Sequence, residues 1–348
     1  QLYYLPTFRQ IFFGCEVTQV LRIALKFIFA GGIIIWLLKR GELDLSLVSH
    51  SMGSWHLWAF AIVLMIINVI LTSVRWKMLL EIKTGERLPF VDITMLTWIG
   101  LFFSSVLPGV VTGDLVKLVY ARELNSKLSK TFLLTSVLID RVIGLFGLLM
   151  LLGGFSLIYY SDLVVLSDGI RSIIHLNFLI FLGMVGVLIS IFLPRKVQNL
   201  FLSVAQRIPA LGDRVVNTLE QVWLIGGAPK TFSICLGMSM FTQMLNISAF
   251  WILALPYFAQ AIPFKFAFTF IPLGFVAIAL PVAPAGMGVG HAIFGTLFSY
   301  FNIDNGASLF NLYFVAMVMI NLLGVIPYLM SGKRDMLKRA SKFEVADS

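Results

Sequence analysis

The chain has 348 residues; 59% are hydrophobic, 12% are charged, and the mean hydropathy is +0.94. A soluble domain carries about twice that charged share and still exposes roughly a quarter of its unfolded area, so the composition excludes a soluble globular enzyme, a disordered chain and a disulfide scaffold. The formal charge of +9 needs no nucleic-acid partner, because Lys and Arg collect in the cytoplasmic loops of membrane proteins.

In chain order, apolar segments fall at about 21–38, 57–74, 89–107, 131–158, 172–193, 231–256, 262–283, 287–301 and 308–330. Their length and unbroken apolarity predict helices, since barrel strands would alternate every second residue. The chain opens on Gln1, which reads as a trimmed or processed start. Residues 23–38 have the length of a signal-peptide core but no small-residue cleavage site follows, so they read as a retained helix. Cys15 and Cys235 stand far apart with no metal or redox spacing.

The basic residues set an orientation. Arg9, Arg22 and Lys26 lie at the start, Arg75, Lys77, Lys83 and Arg87 after the second segment, and Lys117, Arg122, Lys127 and Lys130 before the fourth. Arg195, Lys196, Arg207, Arg214 and Lys230 fill a central loop, and Lys333, Arg334, Lys338, Arg339 and Lys342 a tail. Taking the basic side as cytoplasmic places both termini there. It also requires the run 89–113 to enter and return, with Pro108 and Gly109 at the turn. The run 263–301 would do the same from the other side, broken between Pro281 and Gly286, because proline cannot donate a helix bond.

The predicted fold class is therefore an all-α polytopic membrane protein built of two inverted-topology halves. Each has three spanning helices and one Pro/Gly-broken re-entrant hairpin: residues 1–160 with a hairpin at about 89–113, and 172–330 with one at about 263–301. A basic tail, 331–348, follows. Inverted repeats with broken segments at matching positions point to a transporter's midplane site. The alternative is that 89–107, long enough to span, simply crosses.

Candidate site residues follow from that frame. In the first hairpin a helix restarting near Gly113 would present free N–H groups and a positive dipole end to an anion. Asp114 suits the same place as a cap, and Lys117 one turn on can pair with Asp114 or meet a headgroup. In the second, Pro284, Gly286, Gly288 and Gly290 allow close approach of a ligand or tight helix packing, and His291 adjoins the break. Asp140 and Arg141 lie about 15 Å into their helix, where each charge costs about 2.5–3.5 kcal/mol. Neighbours on a helix diverge, so each needs its own partner; for Arg141 that is a lipid phosphate or a hairpin residue such as Asp114 or Lys117. Asn68, Gln243, Asn246 and Asn321 read as weaker candidates that tie helices together, and Arg75-Trp76 as an interfacial anchor. No nucleophile elbow, HExxH or phosphate-binding loop is present, so no enzyme activity and no cofactor are expected.

At these residues the chain resembles a known family. Arg75-Trp76, Ser105-Val106-Leu107-Pro108-Gly109 with Gly113-Asp114, Asp140-Arg141 with Gly144, and the Pro281/Pro284–Gly286–Gly288 break look like the flippase-like domain of the lysylphosphatidylglycerol synthase transmembrane region family. The resemblance runs from about residue 20 to 330. Val110-Val111-Thr112 is poorer in glycine than the family pattern, and His291 stands where Glu is common. The resemblance implies a bacterial or archaeal inner-membrane protein moving an anionic lipid between leaflets: a phospholipid, an aminoacylated phospholipid or a polyprenyl-phosphate-linked lipid. The competing expectation is a non-transporting accessory protein that binds lipid or scaffolds a glycosyltransferase or lipid synthase. Bifunctional members carry a soluble synthase domain after the membrane part, and this sequence stops soon after Met330, so aminoacyl transfer is not expected. A homo-oligomer or a lipid-biosynthetic partner is compatible with both readings.

Overall fold

The structure is a computed structural model that describes residues 51–106, 112–125, 127–165, 167–206, 212–257, 264–279, 289–300, 303 and 306–330. All belong to one compact unit, Ser46–Ser348. Every regular element among them is helical. After a short 3₁₀ turn they run α1 (Trp55–Thr84), α2 (Phe90–Val106), α3 (Thr112–Leu124), α4 (Lys130–Ile158), α5 (Tyr160–Val164), α6 (Asp168–Ile191), α7 (Arg195–Ala205), α8 (Gly212–Gly226), α9 (Pro229–Ala254), α10 (Phe264–Ala279), α11 (Val289–Ser299), α12 (Gly306–Leu322) and α13 (Val325–Met330). The described helices follow the apolar segments to within a few residues, with one large exception. The second apolar segment was expected to end at about 74, yet α1 continues to Thr84, where Gly85 (φ 67°) stops it in the left-handed conformation.

Five of these stretches are long and apolar enough to cross a bilayer: Trp55–Thr84, Lys130–Ile158, Asp168–Ile191, Pro229–Tyr257 and Gly306–Leu329. Their outer faces are apolar too. Phe60, Leu138, Leu179, Leu182 and Ile189 are all more than half exposed, a pattern water would penalise and hydrocarbon accepts. Local signals set their starts. Ser129 and Ser167 accept from Phe132 N and Ile170 N, capping α4 and α6, and Pro229 opens α9 where its missing N–H costs nothing.

The remaining apolar helices come as short pairs. At 1.5 Å per residue α2 spans about 26 Å and α3 about 20 Å, each less than a bilayer core of roughly 30 Å. They lie antiparallel: a Cβ added at Gly113 would sit 2.0 Å from Gly100 O and 2.2 Å from Ser104 Oγ, so only hydrogen fits between the backbones. The two far ends meet again. Lys127 Nζ donates to Thr84 O at 3.1 Å and to Glu86 Oε1, and Asn125 Nδ2 to Glu86 Oε2 at 3.2 Å. Helices α10 and α11 pair in the same way, with Phe270 against Phe298 at 5.5 Å and Phe275 against Phe294 at 5.9 Å. Inside α10, Pro272 interrupts the hydrogen-bond ladder, and Asn177 of α6 donates to Thr269 O in the turn before it.

Packing repeats between the halves. Helix α1 takes α9 as its main neighbour, and the two cross antiparallel, with Asn68 on Asn246 and Arg75 O near Cys235 Sγ. The packings that these eight helices make with one another have counterparts when α1, α2, α3 and α4 are exchanged for α9, α10, α11 and α12: α2 on α3 and α10 on α11, α4 on α10 and α12 on α2, α4 on α9 and α12 on α1. The core differs in chemistry. Around α4 it is mainly aliphatic, Ile139, Ile143, Leu149 and Leu152 against Leu79 and Met184, with Phe146 and Phe232 among them. Around α12 it is aromatic, with Phe250, Phe294 and Phe310 stacked at 4.9 and 5.1 Å.

Residues 194–230, expected as a loop, instead contain α7 and α8, which pack on each other, while α8 rests on α4, α6 and α9. Both have apolar residues at helical spacing, and Leu200, Phe201 and Val204 of α7 remain exposed.

Candidate functional site

Asp140 and Arg141 are successive residues of α4 and leave it about 100° apart, so they find different partners. Asp140 is buried and accepts from Arg75 Nε at 2.7 Å, with Arg75 and Asp140 side chains 6% and 8% exposed. Arg75 is not the interfacial anchor its sequence context predicts. Because α1 runs on to Thr84, Arg75 lies inside the helix, and Trp76 beside it is fully buried and donates to Ser136 Oγ at 3.3 Å. Two charges removed from water need this pairing; either alone would be left uncompensated.

Arg141 turns the other way. Its Nε lies 2.8 Å from Asp114 Oδ2, on the first turn of α3, and its Nη2 2.5 Å from the same oxygen. Asp114 Oδ1 is 3.6 Å from Lys117 Nζ, and that ammonium stands 4.1 Å from the centroid of the Trp76 ring. A cation over an indole face gains about 0.5–2 kcal/mol, which helps to hold a lysine that is 6% exposed. One tryptophan thus joins the two ion groups. The Arg141 side chain is 45% exposed, because Leu138 and Val142, on the same side of α4, also face outward. Three cations therefore surround two carboxylates, and the outermost cation lies on an exposed flank of α4 among apolar side chains.

The other predicted site residues fall into three groups. Gly113 is consumed in the α2–α3 contact with Gly100, whose own added Cβ would meet Lys117 Cβ at 3.4 Å. His291 is on α11, where its Nε2 is 2.5 Å from Asn311 Oδ1 and its ring meets Phe310 edge-on at 5.1 Å; these partners belong to α12, away from the charged cluster. Pro108, Gly109, Pro284, Gly286 and Gly288 lie outside the described residues. Among the described residues no three His, Cys, Asp or Glu side chains converge as a metal site would require.

The amides ranked as weaker candidates converge instead. Asn68 donates to Asn246, Asn246 to Gln243 at 3.5 Å, and Gln243 to Gly144 O at 3.2 Å; the hydroxyl of Ser239 reaches Gly144 O as well. Asn321 of α12 donates to Ser105 Oγ of α2 at 2.8 Å. Between α1, α2, α9 and α12 lies a half-open cavity of about 200 Å³, lined among others by Asn68, Thr72, Thr97, Asn246, Tyr313 and Asn321. It adjoins the charged cluster: Thr72 is one turn before Trp76 on α1, and Thr97 one turn before Gly100 on α2.

The chain matches the family of the lysylphosphatidylglycerol synthase TM region over residues 23–332. It belongs to this family. The assignment makes it a multi-pass membrane protein tied to lipid handling, in keeping with the five apolar helices. No curated protein and no solved structure matches it. The family match covers α1 to α13 and so includes both the charged cluster and the cavity.

Sequence reasoning missed Arg75 as the partner of Asp140, and Thr72, Thr97 and Tyr313 as cavity residues. A signal for Arg75 was present: Met78, Leu79, Leu80 and Ile82 continue the apolar helix beyond it to Gly85, which places the charge inside the span. The threonines carry no such mark, since a hydroxyl in a span usually bonds its own helix, as Thr97 does to Ile93 O at 2.9 Å.

Proposed function

We propose that this protein moves a lipid with an anionic headgroup between the leaflets of a bacterial or archaeal inner membrane, with both termini cytoplasmic and without covalent chemistry. The observation that carries the reading is the half-exposed Arg141 guanidinium, held by Asp114 on the apolar flank of α4. A guanidinium there can take a phosphate bidentately while acyl tails stay in hydrocarbon, and Lys117 adds a second cation nearby. Ionisable groups inside spans mark transport pathways by default.

The matching packing of the two halves and the antiparallel crossing of α1 and α9 support an inverted repeat. In it α2–α3 and α10–α11 would be re-entrant hairpins whose movement opens the site to each face in turn. A second reading has one observation in its favour: Asp114 already satisfies Arg141, as it would in a fixed lipid-binding scaffold that serves a synthase or glycosyltransferase partner.

Reconstitution decides between them. Purified protein in liposomes with a trace of tail-labelled phosphatidylglycerol should expose inner-leaflet label to a membrane-impermeant quencher. A scaffold would bind the lipid yet leave the label protected, as in protein-free vesicles.

A further inference from the structure

The charged cluster explains a phosphate but not what hangs from it, and the cavity beside it has a different chemistry. Its polar lining is formed by the amides of Asn68, Asn246 and Asn321 and the hydroxyls of Thr72, Thr97 and Tyr313; among the described residues no Asp, Glu, Lys, Arg or His lines it. An amide can make up to four hydrogen bonds and a hydroxyl up to three; the bonds these groups already make, to one another and to Ile93 O, Gln243 and Ser105, use fewer, and Thr97, whose proton is on Ile93 O, can still accept.

Such a lining separates ligands by charge. A group with an ammonium or a carboxylate would leave water for a lining with no counter-ion among its described residues, a transfer costlier than burial of a neutral group that finds hydrogen bonds. A hydroxyl-rich neutral group loses little, because each hydroxyl both donates and accepts, as the amides do. The volume of about 200 Å³ equals the liquid volume of roughly six or seven waters, room for a group between glycerol and a hexose in size. Thr72 stands one turn from Trp76 and Thr97 one turn from Gly100, both of which pack on Lys117, so the cavity opens on the Lys117 side of the charged cluster.

We infer that the cavity selects lipids whose phosphate bears an uncharged polyol, such as glycerol, inositol or a sugar, over lipids that bear an amine or an amino acid. This rests on the transport reading and names its substrate class. An aminoacylated phospholipid, one of the three classes first expected, is thereby disfavoured.

The test compares four tail-labelled phospholipids in liposomes that contain the intact protein: phosphatidylglycerol, phosphatidylinositol, phosphatidylserine and phosphatidylethanolamine. The two polyol lipids should cross at least tenfold faster than the two amine lipids. Thr72→Val and Thr97→Val keep the shape and remove one hydroxyl each, and each should slow the polyol lipids by about fivefold, the worth of one hydrogen bond. Equal rates for all four headgroups, or unchanged rates in both valine variants, overturn the selectivity and leave transport standing. Movement of none of the four overturns both. If free glycerol or inositol stabilises the protein in detergent while no lipid headgroup changes the rate, the ligand is a soluble polyol and the assignment to lipid falls.

Discussion

Arg75 Nε and Asp140 Oδ1 meet at 2.7 Å between α1 and α4, both side chains withdrawn from the surface. Everything polar nearby is arranged around that pair: Trp76 next to Arg75 carries Lys117, and Arg141 next to Asp140 carries Asp114.

Removal of one partner strands a buried charge. Asp140→Asn or Arg75→Leu should each destabilise the protein by about 3–5 kcal/mol, whereas the double replacement Arg75→Leu/Asp140→Leu should cost much less than the sum. Thermal unfolding in detergent, read against wild type, measures this. Additive losses would mean the pair does not form.

Glycine replacements should sort by backbone contact. At Gly113 an added methyl would meet Gly100 O at 2.0 Å, backbone against backbone, so Gly113→Ala should cost about 1–3 kcal/mol by prising α2 from α3. Gly154 on α4 has open space around it, and Gly154→Ala should instead stabilise by about 0.5–1 kcal/mol through helix propensity. The same unfolding experiment reads both signs.

The clip between Glu86 and Lys127 joins the loop before α2 to the residues after α3 and should depend on pH. The hydrogen bond and charge of Lys127 hold the Glu86 carboxyl below its ordinary value of 4.5. A depressed carboxyl contributes stability above its unfolded value and loses it as pH falls through the folded value, so the clip holds at neutral pH and opens below about 4.5. Hydrogen exchange at residues 85–88 and 127–129 should quicken in acid in wild type, and already at neutral pH in Glu86→Gln.

The Asn68–Asn246 bond lies where α1 and α9 cross, on the seam between halves. Amide pairs within membranes are worth roughly 0.6 kcal/mol, so Asn68→Leu or Asn246→Leu should barely change stability. Each should nevertheless slow movement of a polyol lipid, because the same amides line the cavity. A double-mutant cycle on both readouts separates these effects.

Much of this architecture is legible in the sequence for a simple reason: hydrocarbon demands long apolar runs, and these mark α1, α4, α6, α9 and α12 without any knowledge of packing. The need of Asp140 and Arg141 for separate partners is legible too, from helix geometry alone, and Asp114 stands among the partners so named. What stays hidden is long-range. Arg75 looks like an anchor until α1 is seen to continue, and α7 and α8 look like loop because Arg195, Lys196 and Arg214 mark the stretch as a basic connection, although its apolar residues recur at helical spacing. The cavity is assembled from helices of both halves of the sequence, α1 and α2 with α9 and α12, and none of its residues announces the others.

Transport of an anionic lipid on Arg141, as proposed, makes that guanidinium the group on which the rate depends. The most direct measurement is the rate at which tail-labelled phosphatidylglycerol changes leaflet in liposomes with wild type, Arg141→Lys and Arg141→Ala at matched protein content, each with its thermal midpoint recorded. Movement should be fast in wild type, at least tenfold slower in Arg141→Ala and partly recovered in Arg141→Lys, with midpoints close to wild type, since the residue lies at a half-exposed site. Undiminished movement in a folded Arg141→Ala protein would contradict that dependence.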